Sequence, residues 1–141
     1  MSKVVRMRLQ DEQMLRLQQV AQTFGKTASE TGSLLLEEKL RENEFAFIEF
    51  RSSVAGRFAY LKGSRLPIWQ VISTSRTYFE MDAEQTASHF GRPVAWVKAA
   101  FHYCERFQEE IYRAIADNAE SDFETLKRSL PNAQAFALGL E

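Results

Sequence analysis

The chain has 141 residues, 45% of them hydrophobic, and a formal net charge of -1. That length holds one ordinary domain or two small ones. No apolar run approaches the ~20 residues of a membrane span and the start carries no signal-peptide core, so a cytoplasmic protein without a membrane partner is expected; the single cysteine, Cys104, excludes a disulfide framework or a cysteine-built zinc cage.

The net charge hides a gradient. Residues 1–41 hold seven Lys/Arg against five Asp/Glu, residues 42–76 five against three, residues 77–118 four against seven, and residues 119–141 two against four. A mildly basic front and an acidic rear suit a polyanion at one end and a different partner at the other.

The first element is a basic strand, Lys3-Val-Val-Arg-Met-Arg-Leu9. Side chains alternate across a strand, so Val5, Met7 and Leu9 share one face while Val4, Arg6 and Arg8 share the other. A lone strand of this length is not stable in water, and no second strand lies nearby. Pairing with the same strand of another copy solves this and sets up to four arginines on a two-stranded ribbon of a width that enters the DNA major groove. The bland alternative is a basic strand that is only a solvated edge.

Two helices follow. Gln10-Asp11-Glu12-Gln13 starts the first, with acids near the positive end of its dipole, and Met14, Leu17, Ala21 and Phe24 recur at helical spacing. Gly25 ends it. Thr27 with Glu30 three residues on forms a capping-box pattern for a second helix from about Ala28 to Arg41. Leu35, Leu36 and Leu40 form its apolar face, and Gly32 suits a close helix crossing.

From Glu44 the texture changes. Phe45, Phe47 and Phe50 alternate imperfectly, and Phe58–Leu61 pairs back across a turn at Ser52–Gly56, giving a small hairpin. After the turn Lys62–Arg65, Pro67 opens a helix to about Phe79 with Ile68, Val71, Ile72, Ser75 and Phe79 on one face. Asp82 caps a short helix with Ala83, Ala87 and Phe90. Gly91-Arg92 breaks it, and Pro93 opens a helix lined by Val94, Val97, Phe101 and Cys104. A last helix buries Phe107, Ile111 and Ile115. Helix, glycine turn, helix over residues 82–104 has the outline of a helix-turn-helix unit.

Residues 119–141 mix acids with sparse apolar positions. Phe123, Leu126 and Leu130 stand at i, i+3 and i+7, a short amphipathic helix up to Pro131, and the remainder is expected to order only on a partner. The chain thus divides into 1–43, 44–118 and a tail at 119–141.

No phosphate loop, metal-ligand cluster or nucleophile motif occurs, so no cofactor, metal or catalytic residue is expected. His89 and His102 fall on different helices, and His102 and Cys104 do not share a face. Glu37-Glu38 and Glu109-Glu110 read as solvated helix faces. An enzyme is not expected.

Strand, helix, glycine turn and helix within about forty residues resemble the ribbon-helix-helix DNA-binding fold. That resemblance implies a homodimer with swapped strands, makes Val4, Arg6 and Arg8 the groove-facing positions, and aims the second helix's N-terminus, at Lys26, Thr27, Ala28 and Ser29, at a DNA phosphate. A helix N-terminus does bind anions through its free amides and dipole. The stretch Gly63-Ser64-Arg65-Leu66-Pro67-Ile68-Trp69 resembles the Gly-Thr-Arg-(apolar)-Pro-Val-Trp signature of a small bacterial domain of the helix-turn-helix superfamily. Ser64 stands for its Thr and Ile68 for its Val; His89-Phe90, Ala99–Tyr103 and Glu109–Ile111 also fit, so that the likeness covers about residues 45–118. Arg65 is read as fixing the turn through local carbonyls, with a phosphate or partner contact as the alternative. Arg92 and Lys98 border a second recognition helix, though packing explains most of that helix and the acidic balance of residues 77–118 opposes a strong second DNA surface.

The expected fold is therefore mainly α: a dimeric ribbon-helix-helix head, then a small helix-turn-helix-like domain with a short β-hairpin. This combination resembles VapB-type antitoxins of type II toxin–antitoxin modules, whose toxins are PIN-domain ribonucleases. The resemblance implies a protein that blocks such a toxin, represses its own operator and joins higher toxin–antitoxin assemblies. Phe123, Leu126, Lys127, Arg128, Leu130 and Phe136 are then the toxin-binding candidates; one hypothesis has Arg128 reach the toxin's acidic metal site, and the alternative is a tail that packs back on its own core or is inert. Two other readings stand beside it: a stand-alone dimeric transcriptional regulator with a sensing or oligomerisation domain, and an interaction adaptor that never meets DNA.

Overall fold

The computed structural model describes residues 2–129, of which 120–129 are described as backbone alone. The chain forms two compact units, Met1–Glu44 and Phe45–Glu141. The described residues are mainly helical, with six helices and one antiparallel two-stranded sheet.

In the first unit, residues 2–10 carry no regular secondary structure and their side chains are exposed. The strand expected at Lys3–Leu9 is therefore not formed in the single chain, as a strand without a ladder partner would not be. Helix α1 spans Asp11–Phe24. The Gln10 amide donates to Gln13 Oε1 at 2.9 Å, and Gly25 ends the helix in the left-handed region at φ 66°. There the Lys26 amide reaches back to the Ala21 carbonyl at 3.0 Å, which closes the last turn.

Helix α2 spans Ala28–Glu44. Its capping box is complete: the Glu30 amide donates to Thr27 Oγ1 at 3.1 Å, and the Thr27 amide donates to Glu30 Oε1 at 3.2 Å. A Cβ added at Gly32 would lie 3.9 Å from Leu17 Cδ2, an ordinary contact. The α1/α2 crossing therefore does not require glycine.

Two helices cover little. Only Ala21, Thr31 and Glu38 are buried among the described residues of this unit. Met14, Leu15, Leu36 and Leu40 are exposed on the helices, and Val5, Met7 and Leu9 ahead of them. Of the apolar positions expected to pack, Leu17, Phe24 and Leu35 are half-buried and Met14, Leu36 and Leu40 face solvent.

The second unit opens with β1 (Ile48–Ser53) and β2 (Gly56–Leu61), paired from Ile48↔Leu61 to Ser53↔Gly56. The turn is tighter than expected, Val54-Ala55 alone, and Ser53 fixes it. Its hydroxyl accepts from the Ala55 amide at 3.2 Å and donates to the Gly56 carbonyl at 2.9 Å. Phe45 is buried ahead of the strand. Phe47 takes φ 63° and stacks on Trp96 at 5.2 Å, so it does not alternate with Phe45 in a ladder.

Helices α3 (Ile68–Tyr78), α4 (Ala83–Phe90), α5 (Val94–Arg106) and α6 (Gln108–Ser129) follow. Ile68, Val71, Ile72 and Ser75 are all fully buried, the face their spacing predicts. Asp82 Oδ1 accepts the Gln85 amide at 2.8 Å, and Gly91 ends α4 at φ 64°. One helix is rotated from its expected face. α5 buries Val97, Ala100, Tyr103 and Cys104, whereas Val94 and Phe101 are half-buried. Tyr103 turns inward because its ring packs against Phe45, Phe50 and Phe107 while its hydroxyl donates to Glu110 Oε2 at 2.9 Å, so the polar tip stays satisfied.

Ile111 and Ala114 bury the first turns of α6 against this core, with Ile115 and Phe107 half-buried. α6 then continues to Ser129. The short helix expected in the tail is thus not separate over these residues; it prolongs the last helix of the domain.

Candidate functional site

The residues expected to face the groove, Val4, Arg6 and Arg8, are exposed, with Val4 at 85%. Their apolar neighbours Val5 and Met7 are exposed as well, at 81% and 72%. Among the described residues no backbone hydrogen bond engages residues 3–9. The segment therefore presents two arginines, a set of β-branched and unbranched apolar side chains, and unpaired backbone groups together.

Lys26, Thr27 and Ser29 are exposed at the start of α2, where Lys26 and Ser29 line a shallow depression with Glu30, Ser33, Leu34 and Glu37. The capping box changes what this end can do. The hydroxyl and the amide of Thr27 are both engaged with Glu30, leaving the Ala28 and Ser29 amides without an acceptor among the described residues. The Thr27 hydroxyl, the Thr27 amide and the Lys26 ammonium hold the Glu30 carboxyl below its ordinary range. A carboxylate thus sits beside the position proposed for a phosphate. Thr27 and Glu30 are visible in sequence as a cap; the repulsion they imply for an incoming anion is what the pattern did not convey.

In the second unit the turn from Gly63 to Pro67 is held by its serine. The Ser64 hydroxyl is buried, donates to the Leu61 carbonyl at 2.7 Å and accepts from the Leu66 amide at 3.1 Å. The Leu61 amide closes the turn on the Leu66 carbonyl at 3.0 Å, and the Gly63 amide, at φ 71°, donates to Glu49 Oε1 at 3.0 Å. Arg65 is exposed and makes no hydrogen bond or ion pair among the described residues. The expected structural role of Arg65 is therefore wrong: Ser64 supplies it, and the guanidinium projects from a fixed turn.

Lys98 is exposed on α5, and Arg92 is half-buried before its first turn. His102 Nδ1 lies 3.9 Å from Glu105 Oε2. One exposed lysine makes a poor polyanion surface. Cys104 is buried, and burial pushes its thiol above the ordinary range against the pull of the Tyr112 hydroxyl and the Arg76 charge.

Of the tail candidates, Phe123, Leu126, Lys127 and Arg128 fall on the last turns of α6, where only the backbone is described. Leu130 and Phe136 lie outside the described residues. No helix is long and apolar enough to cross a membrane among the described residues. No protein-family model, curated protein or solved structure matches the chain.

Proposed function

We propose that two copies of this chain pair through Lys3–Leu9 to form a DNA-reading ribbon, and that the protein is an antitoxin repressing its own operator. The observation that carries the DNA half is the state of residues 3–9: alternating basic and apolar, exposed throughout, and without backbone partners among the described residues. Two helices on which Met14, Leu15, Leu36 and Leu40 face solvent follow directly. A second copy covers both deficits at once. It completes the ladder and buries Val5, Met7 and Leu9, at about 25 cal/mol per Å² of apolar surface removed from water. Arg6 and Arg8 of each chain then project into the major groove, and Lys26 with the Ala28 and Ser29 amides meets the flanking phosphate.

The antitoxin half rests on the resemblance of the two-part organisation and on the run of α6 beyond the domain core. A helix that continues into Phe123, Leu126, Lys127 and Arg128 offers a partner apolar anchors beside two cations. In a ribonuclease whose metal site is built of carboxylates, Arg128 inhibits by occupying that acidic pocket.

Co-expression with the product of the adjacent gene tests this reading. The expected result is a co-purifying complex without ribonuclease activity, and removal of residues 120–141 releases both partner and activity. A neighbour that does not co-purify, or binds equally well without those residues, contradicts it.

A further inference from the structure

The corner between α3 and α4 carries a surface that neither DNA reading nor the tail uses. Four rings run across it in succession. Tyr78 lies 6.4 Å from Phe79, Phe79 lies 5.4 Å from His89, and His89 lies 4.8 Å from Phe90. Tyr78 is 73% exposed and Met81, in the same turn, 38%; His89 is exposed and Phe79 and Phe90 half-buried. Aromatic residues and methionine are the types enriched where proteins meet proteins.

The turn that presents them is built against its own backbone preference. Glu80 takes φ 50° and Met81 φ 62°, two consecutive non-glycine residues in the left-handed region. Such conformations persist only where the surroundings over-determine them, and they cluster at binding sites. Here the surroundings are explicit. The Phe79 and Met81 amides both donate to the Ser75 carbonyl, at 3.0 and 3.1 Å, and the Asp82 amide donates to the Phe79 carbonyl at 2.8 Å. Beneath them the buried Ser75 and Thr86 hydroxyls lie 2.7 Å apart, and Thr86 Oγ1 donates to the Asp82 carbonyl at 2.7 Å. The corner is a fixed platform.

Its charge is acidic on balance. Residues 77–91 contain Glu80, Asp82 and Glu84, all exposed, and no lysine or arginine, while Arg76 in the last turn of α3 lies over the Tyr112 ring at 4.7 Å. That decides among occupants. Nucleic acid and anionic lipid are repelled, and the same corner of a second copy would set carboxylates against carboxylates. We infer that the α3/α4 corner is a docking surface for a partner protein's basic, apolar segment, in which Lys or Arg side chains flank an apolar residue that packs on Tyr78 and Met81.

The experiment uses the full chain and a fluorescein-labelled synthetic peptide alternating lysine with leucine and phenylalanine, with a glutamate-for-lysine peptide as comparison. Fluorescence anisotropy is expected to show the lysine peptide binding about tenfold or more tighter, with affinity falling as salt rises. Tyr78→Ala and the pair Glu80→Lys/Glu84→Lys should each weaken it about tenfold. Glu109→Lys alone and the pair Glu109→Lys/Asp117→Lys, which place like charge changes on α6, should leave it unchanged, and denaturation midpoints establish that all variants fold. The proposal is overturned if the lysine peptide does not bind, if the two peptides bind alike, or if the α6 variants weaken binding as much as the corner variants.

Discussion

The hydroxyls of Ser75 and Thr86 lie 2.7 Å apart, both fully buried, and join α3 to α4 inside an otherwise apolar core. Because Thr86 Oγ1 donates to the Asp82 carbonyl, the proton between the two hydroxyls comes from Ser75. Thr86→Val keeps the shape and strands the Ser75 hydroxyl without an acceptor there. Removing one member of a buried pair costs about 1–3 kcal/mol, so the denaturation midpoint should fall by roughly 4–8 °C per kcal/mol. Ser75→Ala combined with Thr86→Val should cost less than the two single changes summed.

Gly32 is an opportunity for stabilisation. A methyl there meets only Leu17 Cδ2, at 3.9 Å, and the backbone is helical. Gly32→Ala should therefore raise stability by about 0.5–1 kcal/mol through the lower entropy of the unfolded chain. Chemical denaturation at fixed protein concentration checks this; a loss of stability would mean that a second copy approaches α2 at this point.

Ser64 and Arg65 are neighbours with opposite duties. Ser64→Ala removes two hydrogen bonds of a buried hydroxyl and should cost about 1–3 kcal/mol. Arg65→Ala should change stability by no more than about 0.5 kcal/mol, since its side chain is exposed and makes no hydrogen bond among the described residues. Thermal unfolding of the two variants side by side is the measurement, and an Arg65→Ala loss as large as that of Ser64→Ala would restore the guanidinium to the turn.

Much of this was readable because it is local. Thr27 with Glu30, Asp82 as a cap, and Gly25 and Gly91 act within one turn of themselves, and each does what its position announces. Non-local choices were not readable. The inward turn of Tyr103 depends on a carboxylate from the next helix and on rings from the segment around β1. Glu80 and Met81 carry no sign of a left-handed backbone; around them the Phe79 and Met81 amides both donate to the Ser75 carbonyl. The segment Lys3–Leu9 forms no ladder among the described residues, and the second strand we propose for it comes from another copy.

In the proposed DNA-bound arrangement, Glu30 of the α2 cap sits beside the phosphate position. Its carboxyl is held below the ordinary range by the Thr27 hydroxyl, the Thr27 amide and Lys26. A depressed acid contributes its stability above the ordinary carboxylate range and loses it as pH falls through the lowered value. Glu30→Gln keeps a capping acceptor and removes the charge, so its denaturation profile should lose that acid dependence. The same change should tighten DNA binding by about two- to fivefold at low salt, because a like charge beside the phosphate site is gone. Unchanged binding by the glutamine variant would place α2's N-terminus away from DNA.

The most direct test of the central proposal is the salt dependence of binding to DNA upstream of the chain's own coding sequence. For the native chain, log K is expected to fall linearly with log salt. Arg6→Ala/Arg8→Ala removes up to four cations from a paired ribbon, so the slope should become shallower by up to about 3.6 and specific binding should be lost. An unchanged slope and affinity in that variant would contradict the assignment of Lys3–Leu9 as the DNA-reading element.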